Sequence, residues 1–389
     1  MDPDKRNVTA VRLRGERSDG LYMPLSSLVF TGVNLDDVNV GDTIDIVNGV
    51  EICRKYIPRG NKRRGGGQSD GNRTRKKKVP VAPLFCEHAD TEQLAYNLSA
   101  FRPGDQIEIT LKMHGTSQRT GYLPILKGYK KNIFDYILRR EGTPIYDWGY
   151  VTGTRRTVLE NYDGGYYGDN AFRETHSKVF EGKLHKGETV YYEVVGFTDN
   201  GTPIMGSSSN AKLNDKEFIK QYGDTTVFSY GCSVNGWSEP EDIGNTNMVL
   251  RHQILQSDMY VYRMILTTEE GHIVEYTPDY MRYRCEQMGI KTVPVFEKFY
   301  IPNEDELNTI GISAGEYVKE IVNKYLNTEP DPIGKTHIKE GVVVRIINRP
   351  KFAAYKDKVF EFKVIEGIIK SAASAPDMEE AEEVLDKDN

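Results

Sequence analysis

The chain has 389 residues with 51 basic and 57 acidic side chains, a formal net charge of −6, and is 38% hydrophobic and 10% aromatic. That apolar fraction can build packed cores and excludes a disordered polymer, and the length fits two or three domains. No apolar run reaches the ~18–20 residues of a membrane span, the opening Met1-Asp2-Pro3-Asp4-Lys5 lacks the apolar core of a secretory signal, and a membrane partner is not expected.

Residues 1–58 read as short strands with turn signals. Val8-Thr-Ala-Val-Arg-Leu13 and Thr43-Ile-Asp-Ile-Val47 alternate, while Asp19-Gly20 and Asn48-Gly49 mark tight turns. A small antiparallel barrel is expected, of which the OB-fold is one form. Residues 59–99 form a basic flexible loop and linker: between Arg59 and Lys78 lie nine basic residues and one acid, a local charge of +8. Such a run is either a solvated tether or an arm for phosphates.

From residue 100 to 366 the pattern mixes the two element types. Residues 130–140 and 314–326 have helical spacing, and in the second Val318, Ile321, Val322 and Tyr325 share a face. Strands are expected at 107–111, 190–197, 259–266, 341–347 and 359–364. The fold class is therefore α+β. Residues 367–389 form an acidic tail, with seven acids and one lysine from Asp377 onward, a composition that fits disorder. The four cysteines form no C-x-x-C pair and the seven histidines no H-E-x-x-H, so no structural zinc is expected and a reducing, cytoplasmic setting fits.

Four segments carry candidate chemistry. In Gln106-Ile-Glu-Ile-Thr-Leu-Lys-Met-His-Gly115, alternation puts Ile107, Ile109 and Leu111 on one face and Glu108, Thr110, Lys112 and His114 on the other. Gly115 then lets the backbone turn and approach a ligand closely. A lysine at that place is a nucleophile, a phosphate clamp or simply solvated. Glu340 opens the apolar run Gly341-Val-Val-Val, where a buried carboxylate needs a partner or a ligand. Glu193 sits inside the apolar strand Val190-Tyr-Tyr-Glu-Val-Val-Gly196 with the same requirement. Lys358-Val-Phe-Glu-Phe-Lys-Val364 alternates, with Lys363 on its polar face.

In this order the segments Lys112-Met-His114-Gly115, Gly153-Thr-Arg-Arg156, Glu193-Val-Val-Gly196, Glu340-Gly-Val-Val-Val-Arg345 and the late lysine strand resemble the covalent nucleotidyltransferase superfamily. That superfamily holds DNA ligases, RNA ligases and mRNA-capping guanylyltransferases. His114, where DNA ligases and capping enzymes usually carry aspartate, looks like the RNA ligase branch. The small barrel ahead of the core is similar to the Deinococcus-type RNA ligase with its N-terminal OB module.

The resemblance implies a nucleotidyltransferase domain of antiparallel sheets with flanking helices, and an ATP-dependent RNA ligase that works through a lysyl-AMP intermediate. Lys112 would be the nucleophile, with His114 beside it in the catalytic motif and Gly115 in the nucleotide site. Glu193 would accept from the ribose, and Arg155 (or Arg156) would touch the sugar or a phosphate. Tyr262, favoured over Tyr260, would stack on adenine. Glu340 would hold Mg²⁺ or Mn²⁺ or its bound water. The superfamily's last motif shows two lysines around one residue; read at Glu361-Phe362-Lys363, it assigns the phosphate role to Lys363, with Lys358 as substitute. The implied partner is RNA or an RNA-containing nicked duplex, handled by a monomer. A DNA ligase or capping-type enzyme is the nearest alternative, although both usually carry an OB domain after the core, and a non-catalytic nucleic-acid-binding protein is the other.

Overall fold

The computed structural model describes residues 11–13, 16–18, 23–35, 38, 46–48, 50–52, 79–137, 142–162, 170–232 and 256–367. These fall into two units, one drawn from residues 11–52 and one from 79–367. In the first, β1 (Val11–Leu13) pairs antiparallel with β2 (Glu16–Ser18), and β3 (Ile46–Val47) with β4 (Val50–Glu51). Asn48, φ 48°, turns β3 into β4 and donates to the Thr31 carbonyl at 3.2 Å. The closure expected of a barrel, the basic run at 59–78 and the acidic tail beyond 367 lie outside the described residues.

The second unit opens with β5 (Glu92–Gln93), β6 (Gln106–Lys112), the long β7 (Thr116–Lys130), α1 (Ile133–Ile137), β8 (Thr143–Gly153) and β9 (Val158–Leu159). It continues through α2 (Ala171–Lys178), β10 (Glu188–Gly196), β11 (Ser208–Ser209), α3 (Lys216–Tyr222), β12 (Thr225–Thr226), β13 (Ser257–Thr267) and β14 (Ile273–Glu275). Last come α4 (Pro278–Met288), β15 (Val295–Tyr300), α5 (Glu304–Ile310), α6 (Ala314–Asn323), β16 (Gly341–Ile346), β17 (Ala353–Lys358) and α7 (Phe360–Ile365).

Two larger sheets result, both antiparallel apart from one pairing. One has the order β14-β13-β10-β7-β8-β9 and the other β15-β6-β16-β17-β5, with β5 joined parallel to β17. One face of the second sheet is apolar: Ile107, Ile109, Val342, Val344 and Ile346 pack against Val318, Ile321 and Val322 of α6. That helix starts with a capping box between Ser313 and Glu316, which satisfies donors its first turn leaves open. Leu111, expected with Ile107 and Ile109, instead joins the core of the larger sheet.

Two expected elements differ from what forms. The strand expected at 359–364 is the helix α7. Strand alternation would have hidden Phe360 with Phe362 and Val364, but Phe360 is exposed while Val359, Phe362 and Ile365 are buried, a helical spacing of three. A short apolar run does not separate the two periods by itself. Within the helix expected at 130–140, only Ile133–Ile137 is helical among the described residues, because β7 runs on to Lys130 and pairs there with Thr143.

Candidate active site

The polar face of β6-β16-β17 forms the floor of a cleft. Residues directly opposite on neighbouring strands share a face, and the register aligns Lys112 with Gly341 and Lys358, Thr110 with Val343 and Lys356, and Glu108 with Arg345 and Ala354. Six of these nine, Glu108, Thr110, Lys112, Val343, Arg345 and Ala354, line the cleft. Strand β16 is pressed so close to β17 that a Cβ on Gly341 would overlap the Asp357 carbonyl oxygen. Glycine at 341 therefore sets the distance that brings Lys112 and Lys358 to the same carboxylate.

That carboxylate is Glu340, 1% exposed. The Nζ atoms of Lys112 and Lys358 each lie 2.9 Å from its Oε1. Glu366, just past α7, reaches back to Lys358 Nζ at 2.9 Å. Imidazole Nδ1 of His114 stands 3.7 Å from Glu340 and 3.6 Å from Glu366. Two ammonium groups and two carboxylates thus meet in a buried cluster, the condition under which buried charge is tolerable. The His114 ring is wedged edge-on between Phe228 and Phe362, with centroids at 4.5 and 5.0 Å, and its backbone N–H donates to the Tyr230 hydroxyl at 2.5 Å. Burial pushes the Tyr230 phenol well above its ordinary value, so it stays protonated.

Strands β7, β10 and β13 supply the facing wall. Ser117 and Glu193 are directly paired, and Ser117 Oγ donates to Glu193 Oε2 at 3.1 Å. Tyr262 is the extra residue of a bulge in β13, where Val261 opposes Tyr192 and Arg263 opposes Tyr191. The bulge brings Tyr262 to the cleft, its hydroxyl 3.4 Å from Ser117 Oγ. Tyr260, opposite Glu193 in the register, does not line the cleft; it donates to Asp258 at 3.0 Å and has the Lys291 ammonium 5.6 Å from its ring centroid. Arg155 and Arg156 both bind Asp90 at 2.9 Å, but only Arg155 lines the cleft, and the Arg156 side chain is 38% exposed. Gly115 makes a close approach of a different kind from the one expected. A Cβ there would overlap the Val194 carbonyl oxygen, so this glycine lets the turn after Lys112 lie against β10.

Lys363 is not brought to this cluster. It sits on α7, its ammonium 3.4 Å from Asp357, a residue that Lys319 also binds at 2.5 Å. Asp357 alternates with Lys356 and Lys358 along β17 and so belongs to the sheet's other face. The pair of lysines around one residue is present, but at Lys356-Asp357-Lys358, five residues before the position read from sequence. Sequence reasoning also passed over Glu366 and His88; the K-x-K spacing was the one available signal, and the other two become visible only through the fold.

The cluster His114, Glu340 and Glu366 offers one nitrogen and two carboxylate oxygens within 4.8 Å of one another. That donor set fits a divalent cation that accepts mixed nitrogen and oxygen ligands.

No protein-family model matches the chain, and no curated protein matches it. Among solved structures, Naegleria gruberi RNA ligase with PPi overlaps 93% of this chain and 76% of its own at 14% identity and a TM-score of 0.42. A lysine-to-alanine mutant of Naegleria gruberi RNA ligase with ATP and Mn overlaps 90% and 73% at 13% identity and a TM-score of 0.41. Overlap this loose assigns nothing by itself.

Proposed function

We propose that the chain is an ATP-dependent RNA ligase that seals 3′-hydroxyl and 5′-phosphate ends through a lysyl-AMP intermediate. The observation that carries the reading is the convergence of Lys112, Glu340 and Lys358, from three separate strands or strand ends, on one buried point beside a cleft that Lys112 lines together with Glu193, Arg155 and Tyr262. These residues follow one another in the order of the nucleotidyltransferase motifs, which supports the reading. A fold built only for stability gains little from burying two lysines against one carboxylate.

In the first step the Lys112 amine attacks the α-phosphorus of ATP. A nitrogen–phosphorus bond forms, the bond to the bridging oxygen breaks, and pyrophosphate leaves. Attack requires the unprotonated amine, and neighbouring cations favour that form; Lys358 is the cation placed beside it. Lys358, with Lys356 further along the strand, would neutralise charge on the phosphates, the main demand of phosphoryl transfer. Glu193 would hold the ribose, and Tyr262 would stack on the base. Mg²⁺ or Mn²⁺, when bound, would supply further neutralisation of phosphate charge; Glu340 would hold it, with His114 and Glu366 beside it. AMP then passes to an RNA 5′-phosphate, and the 3′-hydroxyl displaces it. A nucleic-acid partner also suits the +8 run at 59–78, and an OB-type module at 1–58 would add a groove for the strand.

The test is to incubate the protein with Mg²⁺ and α-labelled ATP or GTP and to look for label that survives denaturation. ATP label lost in Lys112→Ala supports the ligase, GTP label favours a capping-type enzyme, and no label from either overturns both.

A further inference from the structure

The lysine cluster does not account for His88, which none of the motifs contains. This residue lies on a strap, residues 79–93, that touches both sheets. At one end the Leu126 N–H donates to the Val81 carbonyl at 2.7 Å, and the carbonyls of Phe85 and Cys86 both accept from Arg119. Tyr191 also donates its hydroxyl to Cys86 at 2.9 Å. At the other end β5 pairs with β17, Gln93 opposite Lys356. Between these anchors His88 donates its backbone N–H to the Arg155 carbonyl at 3.0 Å and presents its ring to the cleft.

The ring stands edge-on to Tyr262, centroids 5.5 Å apart. Tyr262 leads to Ser117 and Ser117 to Glu193, so the four side chains make one continuous wall. Imidazole Nδ1 of His88 is sealed from solvent and meets no hydrogen-bond partner among the described residues. A buried polar atom of this kind is costly unless a ligand completes it. Burial, and after it Arg155, Arg263, Arg119 and Lys112, hold the imidazole well below its ordinary range, so the ring is neutral.

A neutral imidazole has one N–H and one lone pair. A phosphate oxygen could satisfy Nδ1 in one tautomer only, whereas a hydroxyl both donates and accepts and satisfies it in either. The cations of the cleft already serve phosphate. The group left for His88 is a sugar hydroxyl, on the same wall as Glu193.

We propose that His88 binds a ribose hydroxyl of the nucleotide. This inference rests on the nucleotidyltransferase reading and adds to it a residue outside that family's motifs. The strap is what fixes the imidazole at the wall, because its backbone is bonded to both sheets.

The experiment measures formation of the covalent adenylate from ATP, 2′-deoxy-ATP and 3′-deoxy-ATP, in the full chain and in His88→Ala and His88→Asn, with melting curves for each. With ATP, His88→Ala is expected to raise KM about tenfold with little change in kcat, the worth of one hydrogen bond. With whichever deoxynucleotide lacks the contacted hydroxyl, the variant and the parent should perform alike. His88→Asn, whose amide reaches a similar place, should recover part of the loss. An equal loss on all three nucleotides, or no loss on ATP, overturns the role of His88 while leaving the enzyme reading intact. A parent chain that takes label from none of the three overturns both.

Discussion

Lys358 and Lys363 lie five residues apart and meet opposite surroundings. Lys358 ends β17 on the cleft face, 4% exposed, between the carboxylates of Glu340 and Glu366. Lys363 rides on α7 and pairs with Asp357, with its side chain 31% exposed. The two differ little in composition of their immediate sequence, since each follows an acid by one or two positions. What separates them is the change from strand to helix at Val359. An ion pair in a buried, multiply bonded cluster is strongly coupled to its neighbours, whereas one near solvent is worth ~0–1 kcal/mol.

Substitutions can break or sharpen that contrast. Glu340→Gln should have the largest effect, cutting the rate of adenylate formation by about 10²–10³-fold, because it removes the charge shared by both lysines while keeping the side chain's shape. Single-turnover labelling measures it, and a rate within tenfold of the parent would show that Glu340 is not the hub. Next comes Lys358→Ala, expected to slow the same step by about a hundredfold. The melting temperature is the control here, since the variant leaves Glu340 still paired with Lys112.

Gly341→Ala tests the geometry beneath the cluster. The added methyl overlaps the Asp357 carbonyl oxygen, so β16 and β17 must part at a cost of about 1–3 kcal/mol. A thermal melt should show this destabilisation, and unchanged stability would mean the strands can yield there. Lys363→Ala should have the smallest effect, less than about twofold on adenylation and within ~0.5 kcal/mol in stability. A hundredfold loss in Lys363→Ala, together with a mild effect of Lys358→Ala, would reverse the assignment of the phosphate lysine.

Much of the candidate site was legible because its motifs are local. Strand alternation alone placed Glu108, Thr110 and Lys112 on one face, and the register of β6 with β16 keeps them there. The ambiguity between Arg155 and Arg156 could not be settled from sequence, since the two are adjacent and both bind Asp90. The choice between Tyr260 and Tyr262 was equally closed to it, because a bulge in β13 shifts the alternation by one residue. The misplaced lysine has a different cause: an apolar run that fits two periods was read with the wrong one, although Lys356-Asp357-Lys358 stood in plain view.

The sequence by itself determined the chemistry on offer: a lysine, a histidine and a carboxylate at strand ends, a turn glycine just past the lysine strand, and a basic run set apart from an acidic tail. It did so because periodicity and residue type are local properties of the chain. Only the tertiary structure decided which charges are neighbours. Lys112, Glu340 and Lys358 are separated by hundreds of residues or by a hairpin, and cross-strand register brings them together. His88 owes its place to a strap pinned on two sheets, and no spacing in the sequence encodes that.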